Sequence, residues 1–276
     1  MNMNATLGLQ IKQWLLSACL LVVGLTGISG CATKSDGPGG SGAEIITDSD
    51  EPEARKRARI RLELAVGYFE QGQTTIALDE LKQSIAADPT YGEAYNLRGL
   101  IYMRLNDFRF AEESFRRALA ISPRDSNLKH NLGWLLCQQA KYPESQQLFS
   151  QALANPQYGE RAKTFRAQGL CQLRAGLPLD AERSLLKSYE FDAGNPVTAY
   201  NLAALLFQRR DFVRAQFYVR RLNNGELANA ETFWLGVKVE RAMENREAML
   251  QLAAQLEKRF PQSREADAYR RGAFNE

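Results

Sequence analysis

The strongest constraint on what this chain can fold into is a period. Small residues of the kind that let two helices approach closely recur at Ala65, Gly99, Gly133, Gly169, Ala203 and Gly236, at spacings of 34, 34, 36, 34 and 33 residues. A second series lies twelve residues further on, at Ala77, Ala111, Ser145, Ala181, Ala215 and Ala248, and it keeps the same spacings, including the irregularity of two residues. Two series sharing one irregularity mark a duplicated structural unit. The apolar pattern from Ala54 to Phe274 is helical throughout, without alternating strand runs, and the one Asn224-Gly225 pair falls between helical segments. The chain is therefore predicted to be all-α. A helical hairpin of this length cannot bury its own apolar face, so neighbouring units must stack and share a continuous core.

The residues flanking each small position carry a resemblance. The second unit reads Tyr95, Gly99, Tyr102, Ala111, Phe115, Ala118 and Pro123, with Arg98 where leucine is usual. The first gives Leu64, Ala65, Tyr68, Ala77, Leu81, Ser84 and Pro89, and the third gives Leu132, Gly133, Leu136, Ser145, Phe149 and Ala152. This resembles the tetratricopeptide repeat. The later units depart further, with Gln168 and Gln172 replacing apolar residues in the fourth. The resemblance implies a right-handed superhelical solenoid of about six helix-turn-helix repeats, near 58–91, 92–125, 126–161, 162–195, 196–228 and 229–262, followed by a capping helix. Arg61 at the normally aromatic position of the first repeat and the polar stretch from Ser263 to Gly272 suit the two ends. The two extra residues fall in Asn155 to Arg161, read as a lengthened loop on one edge. Asp48, Ser49 and Asp50 give a helix-start signal, with Pro52 expected in the first turn.

Ahead of the repeats, Trp14 to Ser29 is apolar but short for a spanning helix, and reads as the core of a signal peptide over residues 1–30. It ends in Ile28, Ser29, Gly30 and Cys31, which resembles the lipobox of bacterial lipoproteins, where the cysteine thiol takes the acyl chain. Cleavage elsewhere as an ordinary secretory signal is the alternative. Residues 31–50 are rich in glycine and small polar residues and are expected to form a lipidated tether. Ala32 follows Cys31 where an aspartate is absent, and the lipoprotein resemblance then implies the inner leaflet of the outer membrane, facing the periplasm.

Composition argues against chemistry. With 35 basic and 32 acidic residues, the net charge of +3 provides no bulk field for nucleic acid. One histidine, His130, and no His or Cys at metal-ligand spacing leave nothing from which to build a catalytic or metal centre, so no enzyme, cofactor or small-molecule substrate is expected. Cys137 and Cys171 lie 34 residues apart on neighbouring first helices. Helix axes about 8–10 Å apart and a shift of two positions favour free thiols over a bridge.

In proteins with this repeat the concave surface is lined mainly by first helices. The corresponding positions hold Leu62, Val66, Phe69, Asn96, Leu100, Met103, His130, Trp134, Cys137, Leu170, Leu173, Tyr200 and Phe207, an apolar and aromatic face. Only Arg59, Lys163 and Arg166 come close to placing a cation there. Such a face either packs internally or marks a partner site. The layout of lipobox, Gly-rich tether and six repeats, with stretches such as Tyr95-Asn96-Leu97-Arg98-Gly99-Leu100 and Asn131-Leu132-Gly133-Trp134, looks like the type IV pilus biogenesis and stability lipoproteins, often called pilotins. That resemblance implies non-covalent binding of secretin subunits, or a role in pilus stability. A periplasmic repeat adaptor for peptidoglycan or envelope-assembly machinery is the alternative on the same fold.

Overall fold

Six turns of one backbone geometry organise the chain. The computed structural model describes residues 50–274, and the signal segment, Cys31 and the tether lie outside them. The helices pair as α1 (Glu53–Glu70) with α2 (Thr74–Ala87), α3 (Gly92–Arg104) with α4 (Phe108–Ile121), and α5 (Ser126–Gln138) with α6 (Tyr142–Leu153). They continue as α7 (Arg161–Arg174) with α8 (Pro178–Phe191), α9 (Pro196–Gln208) with α10 (Phe212–Asn223), and α11 (Ala230–Ala242) with α12 (Arg246–Arg259). A short α13 (Arg264–Arg270) closes the series.

Inside each hairpin one residue turns left-handed: Gly72, Asn106, Ala140, Gly176, Arg210 and Glu244, with φ between 57° and 77°. The amide of the next residue bonds back to a carbonyl of the first helix, as in Gln73 to Tyr68 at 2.8 Å, Asp107 to Tyr102 at 2.9 Å and Lys141 to Leu136 at 2.9 Å. This capping pattern satisfies carbonyls that a helix end leaves orphaned. Four of the six turns hold a side chain at a φ that disfavours one, so the hairpin closure is set by packing and not by turn chemistry alone.

The packing that sets it is the contact beneath each small residue. A Cβ on Gly99 would stand 2.6 Å from the Phe115 ring, one on Gly133 3.1 Å from Phe149, and one on Gly169 2.7 Å from Leu185. Phe115, Phe149 and Leu185 are fully buried on the second helices, so the glycines exist to admit them. Gly67, on the same type of helix, has nothing within 4 Å of its would-be Cβ. Gly67→Ala is therefore expected to stabilise the fold by about 0.5–1 kcal/mol through helix propensity. Gly99→Ala should instead destabilise it by about 1–2 kcal/mol, because the overpacking exceeds that gain. Thermal melts of the two variants shifting in the same direction would contradict this account.

Each helix packs against its hairpin partner and the next hairpin, and first helices also touch first helices: α1 with α3, α3 with α5, α5 with α7, and α9 with α11. Second helices make no comparable contact with one another. A stack whose first helices converge must curve toward them, which places them on the concave side. At the carboxyl end α13 packs on α11 and α12, burying Ala266 and Ala268, and Phe274 lies 5.2 Å from Trp234. At the amino end Arg61 pairs with Glu80 at 2.8 Å instead of entering a preceding repeat.

The structure corrects three details. Pro52 stands before α1 in an extended conformation (φ −58°, ψ 139°) and is not part of its first turn. The connection from Asn155 to Glu160 is more than an edge loop: Tyr158 folds inward, buried, with its hydroxyl 3.0 Å from the Thr164 hydroxyl. Cys137 and Cys171 form a disulfide, with Cα atoms 5.8 Å apart. The expected separation described helix axes, whereas Cα atoms on facing sides lie closer by up to about 2.3 Å per helix. The shift of two positions is what lets the residues face: at the same offset of 34, His130 Nδ1 meets the Thr164 hydroxyl at 2.8 Å. Among the described residues no helix is long and apolar enough to cross a membrane, and no cluster of three acidic, histidine or cysteine side chains could hold a metal.

Candidate binding groove

Along the concave side the first helices present most of the anticipated residues at partial exposure. Val66 is exposed, while Phe69, Asn96, Leu100, Met103, Trp134, Leu170, Leu173, Tyr200 and Phe207 are half-buried. Leu62 and His130 are not available to a ligand. Leu62 is buried in the first core cluster with Ala58, Ala65 and Leu81, since the first hairpin must fill its own interior. His130 is buried at 5% exposure between Thr164 and Phe149, its ring 5.9 Å from the Phe149 ring. Burial first, and the positive charges of Lys163 and Arg166 second, push its pKa down to about 4, so the imidazole is neutral at physiological pH. Cys137 is withdrawn from the groove by its bond to Cys171.

The groove is less apolar than its sequence positions suggested, because cations cover its aromatic rings. Arg104 lies 5.2 Å above Phe69, Arg174 lies 5.1 Å above Trp134, and Lys238 lies 5.9 Å from Phe207 and 5.5 Å from Trp234. Phe69, Trp134 and Phe207 each receive a cation from the next first helix, whereas Lys238 and Trp234 share α11; the contacts order the rings while leaving a charged rim for a ligand. Arg104 and Arg174 each stand five residues after the small residue of their repeat, a spacing that could have revealed them. Asn96 accepts a hydrogen bond from Asn131 at 2.9 Å, bridging α3 and α5 across the groove floor.

At its carboxyl end the groove holds a cavity. Tyr200, Phe207, Glu231, Trp234, Lys238 and Glu265 line a cavity of about 300 Å³ between α9, α11 and α13. Burial, followed by Glu231 and Glu265, raises the Tyr200 pKa, and burial alone lowers that of Lys238. Trp234 was missed by the sequence reading, although it lies 34 residues beyond Tyr200, the offset at which α5 meets α7. Aromatic walls, a few charges and no nucleophile beside a base suit a surface that binds peptide segments.

Comparison with known proteins agrees with this geometry. The tetratricopeptide repeat family model matches residues 92–125. The type IV pilus assembly protein PilF of Pseudomonas aeruginosa is 29% identical over 246 residues, covering 89% of this chain and 93% of that protein. The solved structure of Pseudomonas aeruginosa PilF superposes with a TM-score of 0.72 at 26% identity, covering 80% of this chain and all of the other. That of PilW, described as a widely conserved type IV pilus biogenesis factor, gives 0.70 at 28% identity, covering 77% of this chain and 97% of the other.

Proposed function

Because the chain is a tetratricopeptide-repeat protein of the PilF and PilW type, we propose that it serves type IV pilus biogenesis as a scaffold that binds secretin subunits. The repeat family and the likeness to PilF and PilW support an interaction protein and not an enzyme, and its one histidine is buried and bonded to a threonine. The observation that carries the binding role is the row of half-buried, cation-covered aromatics along the first helices, Phe69, Trp134 and Phe207. Rigid aromatic rings already partly desolvated lose little freedom on binding and dominate interface energies.

In this reading acyl chains on Cys31 hold the protein at the inner leaflet of the outer membrane, and the repeats reach into the periplasm to receive newly exported secretin. Each buried methylene contributes about 0.8 kcal/mol, so more than one chain gives stable retention. Mass spectrometry of the amino-terminal peptide should find an acylated cysteine at position 31. An unmodified terminus there would remove the anchor.

The binding role is tested with a Trp134→Ala, Tyr200→Ala double variant and secretin fragments. Affinity is expected to fall by about 2 kcal/mol or more, roughly 30-fold, with helical circular dichroism retained. A folded double variant that binds secretin as the wild type does would move the site off the first helices.

A further inference from the structure

The outward face of the second helices changes character along the stack. In the first three repeats the residues two before and two after the small residue of the second helix are Thr75 and Asp79, Arg109 and Glu113, and Pro143 and Gln147, all exposed and none a large apolar side chain. These places stand opposite the buried small residue on a helix of 3.6 residues per turn, where a solvated surface is expected. The fourth and fifth repeats instead put Leu179, Val213 and Phe217 there, 57%, 70% and 58% exposed, with Arg183 as the remaining member. Leu177, in the turn before α8, is exposed as well. A single exposed apolar residue needs no explanation, but four of them confined to two neighbouring hairpins mark a contact surface.

Positive charge gathers on the same two hairpins. Residues 177–190 and 209–221 hold seven basic side chains against four acidic, an excess of three that equals the net charge of the whole chain. Arg183 is paired with Asp180, the buried Glu182 is shared between Arg209 and Arg214, and Arg210 stands exposed in the turn between α9 and α10. We propose that this convex face rests on a phospholipid surface carrying anionic headgroups, with Leu179, Val213 and Phe217 entering the interface and the arginines at the phosphates. A convex face encloses nothing and touches a plane over a limited stretch, which suits a patch confined to two hairpins. Guanidinium groups are weakly hydrated and fork onto phosphate oxygens, while their stems lie along apolar surface. Apolar side chains set among basic ones are what an interfacial helix presents to an anionic leaflet. The groove on the first helices then faces away from the lipid, open to a partner. The contact rests on the reading that acyl chains hold the protein at a membrane, and it adds which face turns toward that membrane.

The test places the photo-crosslinking residue p-benzoylphenylalanine at the position of Val213 in the full chain, or, as a control, at that of Gln147 on the same face of α6. Both side chains are exposed, so the replacement leaves the core untouched. Each chain is purified from membranes and reconstituted into vesicles of phosphatidylcholine with or without phosphatidylglycerol. After irradiation, position 213 should carry lipid adducts on the anionic vesicles, at least about ten-fold fewer on the neutral ones, and position 147 should carry few on either. Equal adducts at the two positions, no lipid adduct at 213, or indifference to the anionic lipid overturns the proposal. Adducts from 213 to a second copy of the chain in place of lipid overturn it too, and assign the face to self-association. The mass of the amino-terminal peptide in the same preparation separates the two readings. An acylated chain without lipid adducts at 213 removes the contact and keeps the anchor, whereas adducts on an unacylated chain keep the contact and remove the anchor.

Discussion

Cys137→Ala, Cys171→Ala and the double variant should each lose the same stability, about 4 kcal/mol, because any one of them opens the same 34-residue loop. For a folded region of this size that lowers the melting temperature by about 10 °C. The equality of the three values is the decisive part. Two free thiols packed side by side would each cost a smaller amount, and although neighbours couple, removing both would cost more than removing either one. A disulfide is lost whole with either sulfur. Both cysteines are buried, so part of the loss is packing, but the sulfurs are small and their immediate neighbours include Phe149 and Ala167 as well as each other. A reductant should lower the melt of the wild type and leave that of the double variant where it was. Additive single variants, or a wild type indifferent to reductant, would show that the sulfurs are not joined. The bridge ties the first helices of the third and fourth repeats across the one junction where the period lengthens to 36 residues. A solenoid has only neighbour contacts there, so a covalent tie prevents the stack from separating at that point.

The repeat architecture was legible in the sequence because it depends on residues whose role is local and steric. Gly99, Gly133 and Gly169 are small because Phe115, Phe149 and Leu185 lie beneath them, each 16 residues further along, and a period made of such pairs is visible without coordinates. The groove was legible in part. Trp134, Tyr200 and Phe207 could be placed on one side of the stack from their positions within the repeat. The cations over Phe69, Trp134 and Phe207 were harder to see: Arg104 and Arg174 share one place in their repeats, but Arg104, Arg174 and Lys238 each reach back to the preceding repeat, and the geometry between repeats is not written in the period of either one. The disulfide and the burial of His130 were hidden for the same reason. Both depend on the offset at which α5 meets α7, 34 residues where the repeat itself advances by 36. Leu62 was placed in the groove but is buried with Ala58, Ala65, Leu81 and residues of α3, a contact that its position within the repeat does not reveal.

The buried histidine gives the protein an acid-sensitive stability whose sign and range follow from its surroundings. His130 is enclosed by Thr164 and Phe149, and Lys163 and Arg166 on α7 add positive charge, so the folded state holds its pKa down to about 4. In the unfolded chain the imidazole titrates near its ordinary value of about 6.5. Below that pH the unfolded state takes up a proton that the folded state refuses, so stability falls as pH falls, and it is fully present only above the unfolded value. The loss is about 2 kcal/mol at pH 5 and about 3 kcal/mol at pH 4, beyond which the folded state also protonates. Asp88 and Glu112, whose pKa values are lowered by hydrogen bonds and ion pairs, also lose stability on acidification. Their losses begin near the ordinary carboxylate range, about pH 4–4.5, so the interval from pH 7 to pH 5 isolates the histidine. His130→Asn keeps a polar atom near Thr164 and removes the titration. Denaturant midpoints of the wild type should fall across that interval while those of the variant stay nearly level, so that the two curves converge as the pH drops. Parallel curves from pH 7 to pH 5 would mean that His130 titrates alike in both states, which its enclosure by Thr164, Phe149 and the cations of α7 does not permit.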